Sequence, residues 1–284
     1  YELAWSCVII EVFMYMLHGW LGDPVVPGWI TPTLPFTLAY LNGFEKGPDR
    51  IQAMIALQLL VAFVFIFMGI TKLADKFVNG VPNSIKGGIL IAAPITVLQG
   101  QLSDGSQLMT APVATLAGTL LLAFLSFSPF CEKNRSKYKI LDIMAKYGNL
   151  FPYLIAMVAG VALGELSKPV LELGTVIRIP DFSNIFHTVS IFAVGFPPLS
   201  KFISAIPLAL ICYVLAFGDF VTSKTLVEEA QESRSDEYID FNSSRSNLIS
   251  GLRNLILAIF APFPPLAGPL WVGMTVSVAM RYKE

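Results

Sequence analysis

The chain has 284 residues, 55% of them hydrophobic and only 14% charged, with a net charge of −1 and a mean hydropathy of +0.66. A soluble domain of this length carries roughly a quarter charged residues, so the composition implies a polytopic membrane protein. With a net charge near zero, no basic surface suggests nucleic acid. The three cysteines, Cys7, Cys131 and Cys212, have no metal spacing and form no obvious pair, and the two histidines, His18 and His187, are too far apart for a His-rich metal site.

A membrane-crossing helix needs about 20 mostly apolar residues. In chain order the runs that fit are 3–18, the interrupted 24–42, 51–70, 84–101, 110–130, 149–165, 199–219, the moderately apolar 246–262 and the short 266–280, about nine spans in all. The first run follows Tyr1 directly with no signal peptide, and a helix at the far end leads toward a further span. The chain therefore reads as a fragment with spans missing at both ends.

Loop charges orient these spans. Connection 71–86 carries Lys72, Lys76 and Lys86, and connection 131–146 carries Lys133, Arg135, Lys137, Lys139 and Lys146. The alternate connections 43–50 and 102–109 hold few cations and include Asp49 and Asp104. Lys/Arg enrichment marks the cytoplasmic side, so 71–86 and 131–146 are expected there, in a bacterial inner (plasma) membrane. Residues 166–198, with the β-like run GTVIRIP and Pro197-Pro198, read as an external connection. Residues 220–244 read as a polar cytoplasmic helix and loop appended to a single transmembrane domain over 1–284.

Two segments break the helical pattern. Pro24, Pro27, Gly28, Pro32 and Pro35 interrupt residues 22–42, and Phe263-Pro264-Pro265-Leu266-Ala267-Gly268-Pro269 separates two apolar pieces by too few residues to leave the membrane comfortably. Inside hydrocarbon, non-helical backbone survives only where it is buried in protein or lines a wet cavity. Two short, broken hydrophobic segments far apart in sequence point to the binding site of a secondary transporter. A kinked helix with an interfacial Trp and a tight external loop are the plainer alternatives.

Within the first break, Thr31 is the expected N-cap and Pro32 the first helical residue. The half-helix would aim N–H groups near Thr33 at an anion or carbonyl oxygen, with Trp29 and Ile30 walling the pocket. Asp219 is expected to close the apolar helix 199–219 at the cytoplasmic edge, as a headgroup acid or as the seat of a coupling proton or sodium ion. Arg253, about two turns into its span, is expected to pair with Asp219, to neutralise an anion, or to snorkel. Glu11, Gln52 and Gln58 are expected to face the bundle interior. There is no Ser-His-Asp arrangement, H-E-x-x-H or P-loop in the chain, so neither an enzyme nor an ATP-driven pump is expected.

Three stretches carry a family resemblance. Trp29-Ile30-Thr31-Pro32 resembles the aromatic-Ile-Ser-Pro of the third span of the xanthine/uracil (nucleobase–ascorbate) permeases. Phe217-Gly218-Asp219-Phe220 resembles the Ile-Gly-Asp-Tyr closing their eighth span. Asn247-Leu248-Ile249-Ser250-Gly251-Leu252, followed by an apolar run and Phe263-Pro264, resembles the ninth span and the turn into the tenth. The sulfate permeases are structural cousins of this family.

The resemblance covers roughly spans two to ten. It implies an all-α, inverted-repeat symporter with two discontinuous spans carrying short extended segments, and a core domain working against a gate domain by alternating access. The family's eighth-span glutamate falls here on Leu215, and its tenth-span Gly-Glu-Asn falls on Gly268-Pro269-Leu270, so the two carboxylates that grip a nucleobase are replaced. The expected site comprises Trp29, Ile30, Thr31, Thr33, Leu215, Asp219, Pro265, Leu266, Ala267 and Gly268, with Asp219 and Arg253 as the charge pair. The expected ligand is a small polar or anionic solute, and the expected partners are the lipid bilayer and a second copy of the chain. The alternatives are a sulfate-permease-like anion transporter and a non-transporting membrane scaffold.

Overall fold

A computed structural model of the chain describes residues 2–80, 106–148, 150–168 and 182–283, with scattered positions between 82 and 102. The fold is all-α. Among the described residues, the only strands are two residues long each, and they pair with each other. The chain divides into two compact units, Tyr1–Ala92 with Ile179–Glu284, and Ala93–Arg178. The GTVIRIP run at 174–180 and much of 84–101 lie outside the described residues.

The larger unit opens with α1 (Glu2–Trp20), followed by strand β1 (Gly28–Trp29), a 3-10 turn (Thr31–Thr33) and the short helix α2 (Leu34–Asn42). Helix α3 (Pro48–Ile70) starts with Pro48 in its first turn behind Gly47, whose φ of 107° is open only to glycine at low cost. The lysine-bearing connection after it is partly helical, as α4 (Leu73–Gly80).

The smaller unit is built on α5 (Pro112–Phe127) and α6 (Leu150–Ala162). Gly118 lets these two approach closely: a Cβ there would sit 3.0 Å from the Ala156 Cβ and 3.1 Å from the Pro152 carbonyl. The Glu165 carboxylate caps the start of α5, accepting from the amides of Val113 at 2.9 Å and Ala114 at 2.8 Å. The cationic loop 131–146 likewise contains short helices, Pro129–Asn134 and Lys139–Lys146.

Back in the larger unit come α7 (Leu199–Gln231), α8 (Ser243–Phe260), strand β2 (Ala267–Gly268) and α9 (Val272–Lys283). Asp219 does not end its helix. α7 runs unbroken through Thr222 and Ser223 to Gln231, because nothing between them is a breaker and the polar turns continue good helix formers. At 1.5 Å per residue its length is about 50 Å.

Helices α3 and α8 pack antiparallel through small residues. A Cβ on Gly251 would meet the Ala62 carbonyl at 3.1 Å, and one on Gly69 the Ser244 carbonyl at 2.9 Å. The buried side of α8 is polar, with Asn247, Ser250, Arg253 and Asn254 all fully buried. Among the described residues, two helices, Pro48–Ile70 and Leu199–Gln231, are long and apolar enough to cross a membrane.

Candidate functional site

The two sequence breaks meet. β1 and β2 pair antiparallel, with Gly28 opposite Gly268 and Trp29 opposite Ala267. The Ile30 amide donates to the Leu266 carbonyl at 3.0 Å, and the Trp271 amide to the Val26 carbonyl at 2.6 Å, which extends the contact on both sides. Only glycine permits it: a Cβ on Gly28 would lie 2.6 Å from the Leu270 carbonyl oxygen, and one on Gly268 2.8 Å from the Ile30 nitrogen. The prolines stop the helices, and the glycines let the freed backbones touch.

The gaps therefore do not face each other across a hydrated pocket. They satisfy each other's backbone groups directly, which is the cheaper solution where no water competes.

Helix α8 clamps this pairing from one side. Arg253, fully buried, donates from one terminal nitrogen to the Gly268 carbonyl at 2.9 Å and from the other to the Gly28 carbonyl at 3.3 Å. Asn254 grips Ala267 twice, with Nδ2 donating to its carbonyl at 2.8 Å and Oδ1 accepting from its amide at 3.1 Å. Adjacent residues on one helix thus hold both strands. The expected Asp219–Arg253 pair is not formed, because the guanidinium spends its donors on main-chain carbonyls and on His18.

That last contact fixes a tautomer. Arg253 has only donors, so His18 Nε2, 3.3 Å away, must accept, and the ring proton sits on Nδ1. From there it is shared with Asp23 Oδ2 at 2.8 Å, inside a wholly buried pair. The Arg253 guanidinium also lies over the Tyr15 ring, 4.7 Å from its centroid.

The half-helix start differs from expectation. Thr31 is not a cap but the first residue of the 3-10 turn, with Ile30 in the cap position and no side-chain bond to the turn. The Thr33 amide and hydroxyl both donate to the Ile30 carbonyl, at 3.0 and 2.7 Å, and the Leu34 amide donates to Thr31. Pro32 and Pro35 carry no N–H, so the tight turn consumes the amides that were expected to meet a ligand acceptor. Thr31 itself is exposed, with its hydroxyl 3.4 Å from the Trp29 carbonyl.

Ile30 and Leu266 pack in one apolar cluster with Cys212 and Ala216 of α7. Leu215 and Asp219, one turn apart on that helix, are half-buried. Pro265 sits half-buried just before the strand, and the Trp29 indole N–H is buried with no hydrogen-bond partner.

All the expected site residues therefore fall in the larger unit. Trp29, Ile30, Leu266, Ala267, Gly268 and Arg253 come together there, whereas Asp219 stands apart from Arg253. Sequence reasoning missed His18, Asp23 and Asn254. The available signal was Asn254 directly beside Arg253: two strongly polar neighbours in one buried helix need buried partners. Among the described residues, no group of three or more His, Cys, Asp or Glu could hold a metal. Comparison with protein-family models finds no match for this chain, and comparison with curated proteins finds none either.

Proposed function

We propose that the chain is a secondary-active permease of the xanthine/uracil-permease type, spanning the membrane many times and working by alternating access. The antiparallel pairing of β1 with β2 carries the reading. The half-helix α2, about 14 Å long, covers roughly half of a 30 Å hydrocarbon core, and both α2 and α9 start from the shared, buried break.

Polarity supports a lipid setting. Phe13, Phe63, Leu120, Leu210 and Val214 are exposed on helix flanks, while Glu11, His18, Gln58, Asn247, Arg253 and Asn254 are fully buried. Many large apolar side chains exposed on the flanks, together with ionisable and amide groups fully buried, suit a lipid setting better than water.

In this reading the solute lies beside the strand pair, walled by Trp29 and Ile30 and by the Pro265–Gly268 turn, with Leu215 and Asp219 on the α7 side and Thr31 at the open edge. Arg253 acts as a structural clamp. Its commitment to Gly28 and Gly268 removes the cation that would favour an inorganic anion, so an uncharged polar solute fits better.

The test is uptake of labelled uracil, xanthine, sulfate and succinate into proteoliposomes containing the purified chain. The expected result is saturable uptake of one solute, lowered roughly tenfold or more by Trp29→Ala through loss of an aromatic wall, with membrane expression intact. Sulfate uptake would move the assignment to the anion carriers. Saturable uptake that survives both Trp29→Ala and Thr31→Ala would place the site elsewhere, and no uptake of any solute would leave a scaffold.

A further inference from the structure

Beneath the strand pair lies a set of buried polar atoms that the fold's own hydrogen bonds do not account for. Glu11 on α1 is fully buried, and neither of its carboxyl oxygens has a hydrogen-bond partner. Unpaired buried polar groups call for an explanation, and an ionisable one inside a membrane points to function by default.

Two residues that act on its charge, Trp29 and Arg253, each keep one buried donor unpartnered. The Trp29 indole N–H faces the carboxyl without closing a bond of ordinary geometry, and Arg253 Nε is the one nitrogen of that guanidinium left without a partner. Two oxygens and two N–H groups of opposite character on these three residues are thus buried and unjoined.

The charges around this space can be counted. Arg253 is the cation, and Asp23 is the acid held by the neutral His18. Cys7 and Tyr15 approach Glu11 from its own helix, Trp29 from β1 and Arg253 from α8. The helix Phe182–Thr188 packs against α1 through Ile185, while its His187 is exposed. With Glu11 protonated the cluster is neutral. With Glu11 ionised it carries one uncompensated negative charge, and a carboxylate then stands beside a guanidinium already engaged with two carbonyls.

We propose that Glu11 is a proton-binding residue whose protonation decides whether Arg253 clamps the β1–β2 pair or turns to the carboxylate. A neutral carboxyl leaves the guanidinium on the Gly28 and Gly268 carbonyls, the arrangement seen here. An ionised one is a charge-assisted acceptor and outcompetes a carbonyl for the same N–H groups, so the strand pair loses its clamp. The proton comes from water onto one carboxyl oxygen and returns to water, and no other bond is made or broken. The purpose rests on the permease reading, in which Glu11 carries the coupling proton; the chemistry does not.

The experiment is infrared spectroscopy of the full chain, reconstituted in a phosphatidylcholine film and perfused with buffers of stepped pH. The expected result is a protonated-carboxyl C=O absorption that follows bath pH reversibly, is lost in Glu11→Gln and is kept in Asp236→Asn, a solvent-exposed control. Trp29→Phe keeps the ring and removes the facing N–H. It shifts the midpoint of that band and carries the test if Glu11→Gln does not fold.

A Glu11→Gln spectrum that overlays the wild type, or an unmoved midpoint in Trp29→Phe, overturns the proposal. The readout needs no solute, which separates the two ideas. A Glu11 band in a chain that takes up none of the four solutes supports the proton site and overturns the permease. Uptake of a solute without a Glu11 band overturns the proton site alone.

Discussion

At the residue scale two neighbours, Arg253 and Asn254, spend their side chains on backbone. Asn254 matches both the donor and the acceptor of Ala267, so Asn254→Leu, close in volume, strands a buried N–H and a buried C=O at once. Each unsatisfied group costs about 1–3 kcal/mol, and the expected loss is about 2–6 kcal/mol, read as a lowered melting temperature in detergent. Asn254→Asp keeps the acceptor for the Ala267 amide and should lose only part of that. Equal melting of all three proteins would refute the clamp. Arg253 was legible in the sequence as a cation that needs a partner, but the partner was not. Sequence offers other side chains as partners and says nothing of a carbonyl that becomes free only because Gly28 and Gly268 leave helical geometry. The same blindness hid His18 and Asp23, which matter through a guanidinium distant in sequence.

At the element scale the breaks were readable because proline and glycine act locally. Pro24 to Pro35 and Pro262 to Pro269 cannot continue a helix, whatever surrounds them. The local structure downstream of the first break was harder to read. The 3-10 turn at Thr31–Thr33 replaced an expected capped α-helix because Pro32 and Pro35 remove donors, and the remaining amides close short-range bonds. The continuation of α7 past Asp219 was missed for a related reason. Falling hydropathy marks the edge of a membrane, not the end of a helix. Close backbone approach makes its own prediction. Gly268→Ala pushes a methyl to within 2.8 Å of the Ile30 nitrogen, where no flexible side chain can yield, whereas Gly19→Ala on α1 meets nothing within 4 Å. The first is expected to lower stability by about 1–3 kcal/mol, and the second to leave it unchanged or raise it by up to about 1 kcal/mol. Thermal unfolding of the pair checks this, and a neutral Gly268→Ala would mean that the strands are not in contact.

At the scale of the whole molecule, large apolar side chains are exposed on helix flanks, and α7 is longer than any bilayer core requires. A helix of about 50 Å must emerge from about 30 Å of hydrocarbon. Leu210 lies in its apolar part and Glu229 in its polar end, both exposed on the protein surface. A membrane-impermeant maleimide should therefore label Glu229→Cys and spare Leu210→Cys in vesicles open to the side where 220–231 emerges. Labelling of both would argue against a membrane-crossing α7. The apolar excess was legible in the composition, but the grouping of helices into two compact units was not, because span-by-span hydropathy is blind to which helices pack together. The central claim is that the two broken segments pair inside the protein, and the most direct measurement is a disulfide. With Cys7, Cys131 and Cys212 replaced, Trp29→Cys and Ala267→Cys occupy directly paired positions, whose Cα atoms in an antiparallel ladder lie about 4.5–5.5 Å apart, within disulfide reach. Mild oxidation of native membranes should join them quantitatively, locking the chain between residues 29 and 267. Two thiols that stay free under oxidant and react separately with a membrane-permeant maleimide would contradict the account.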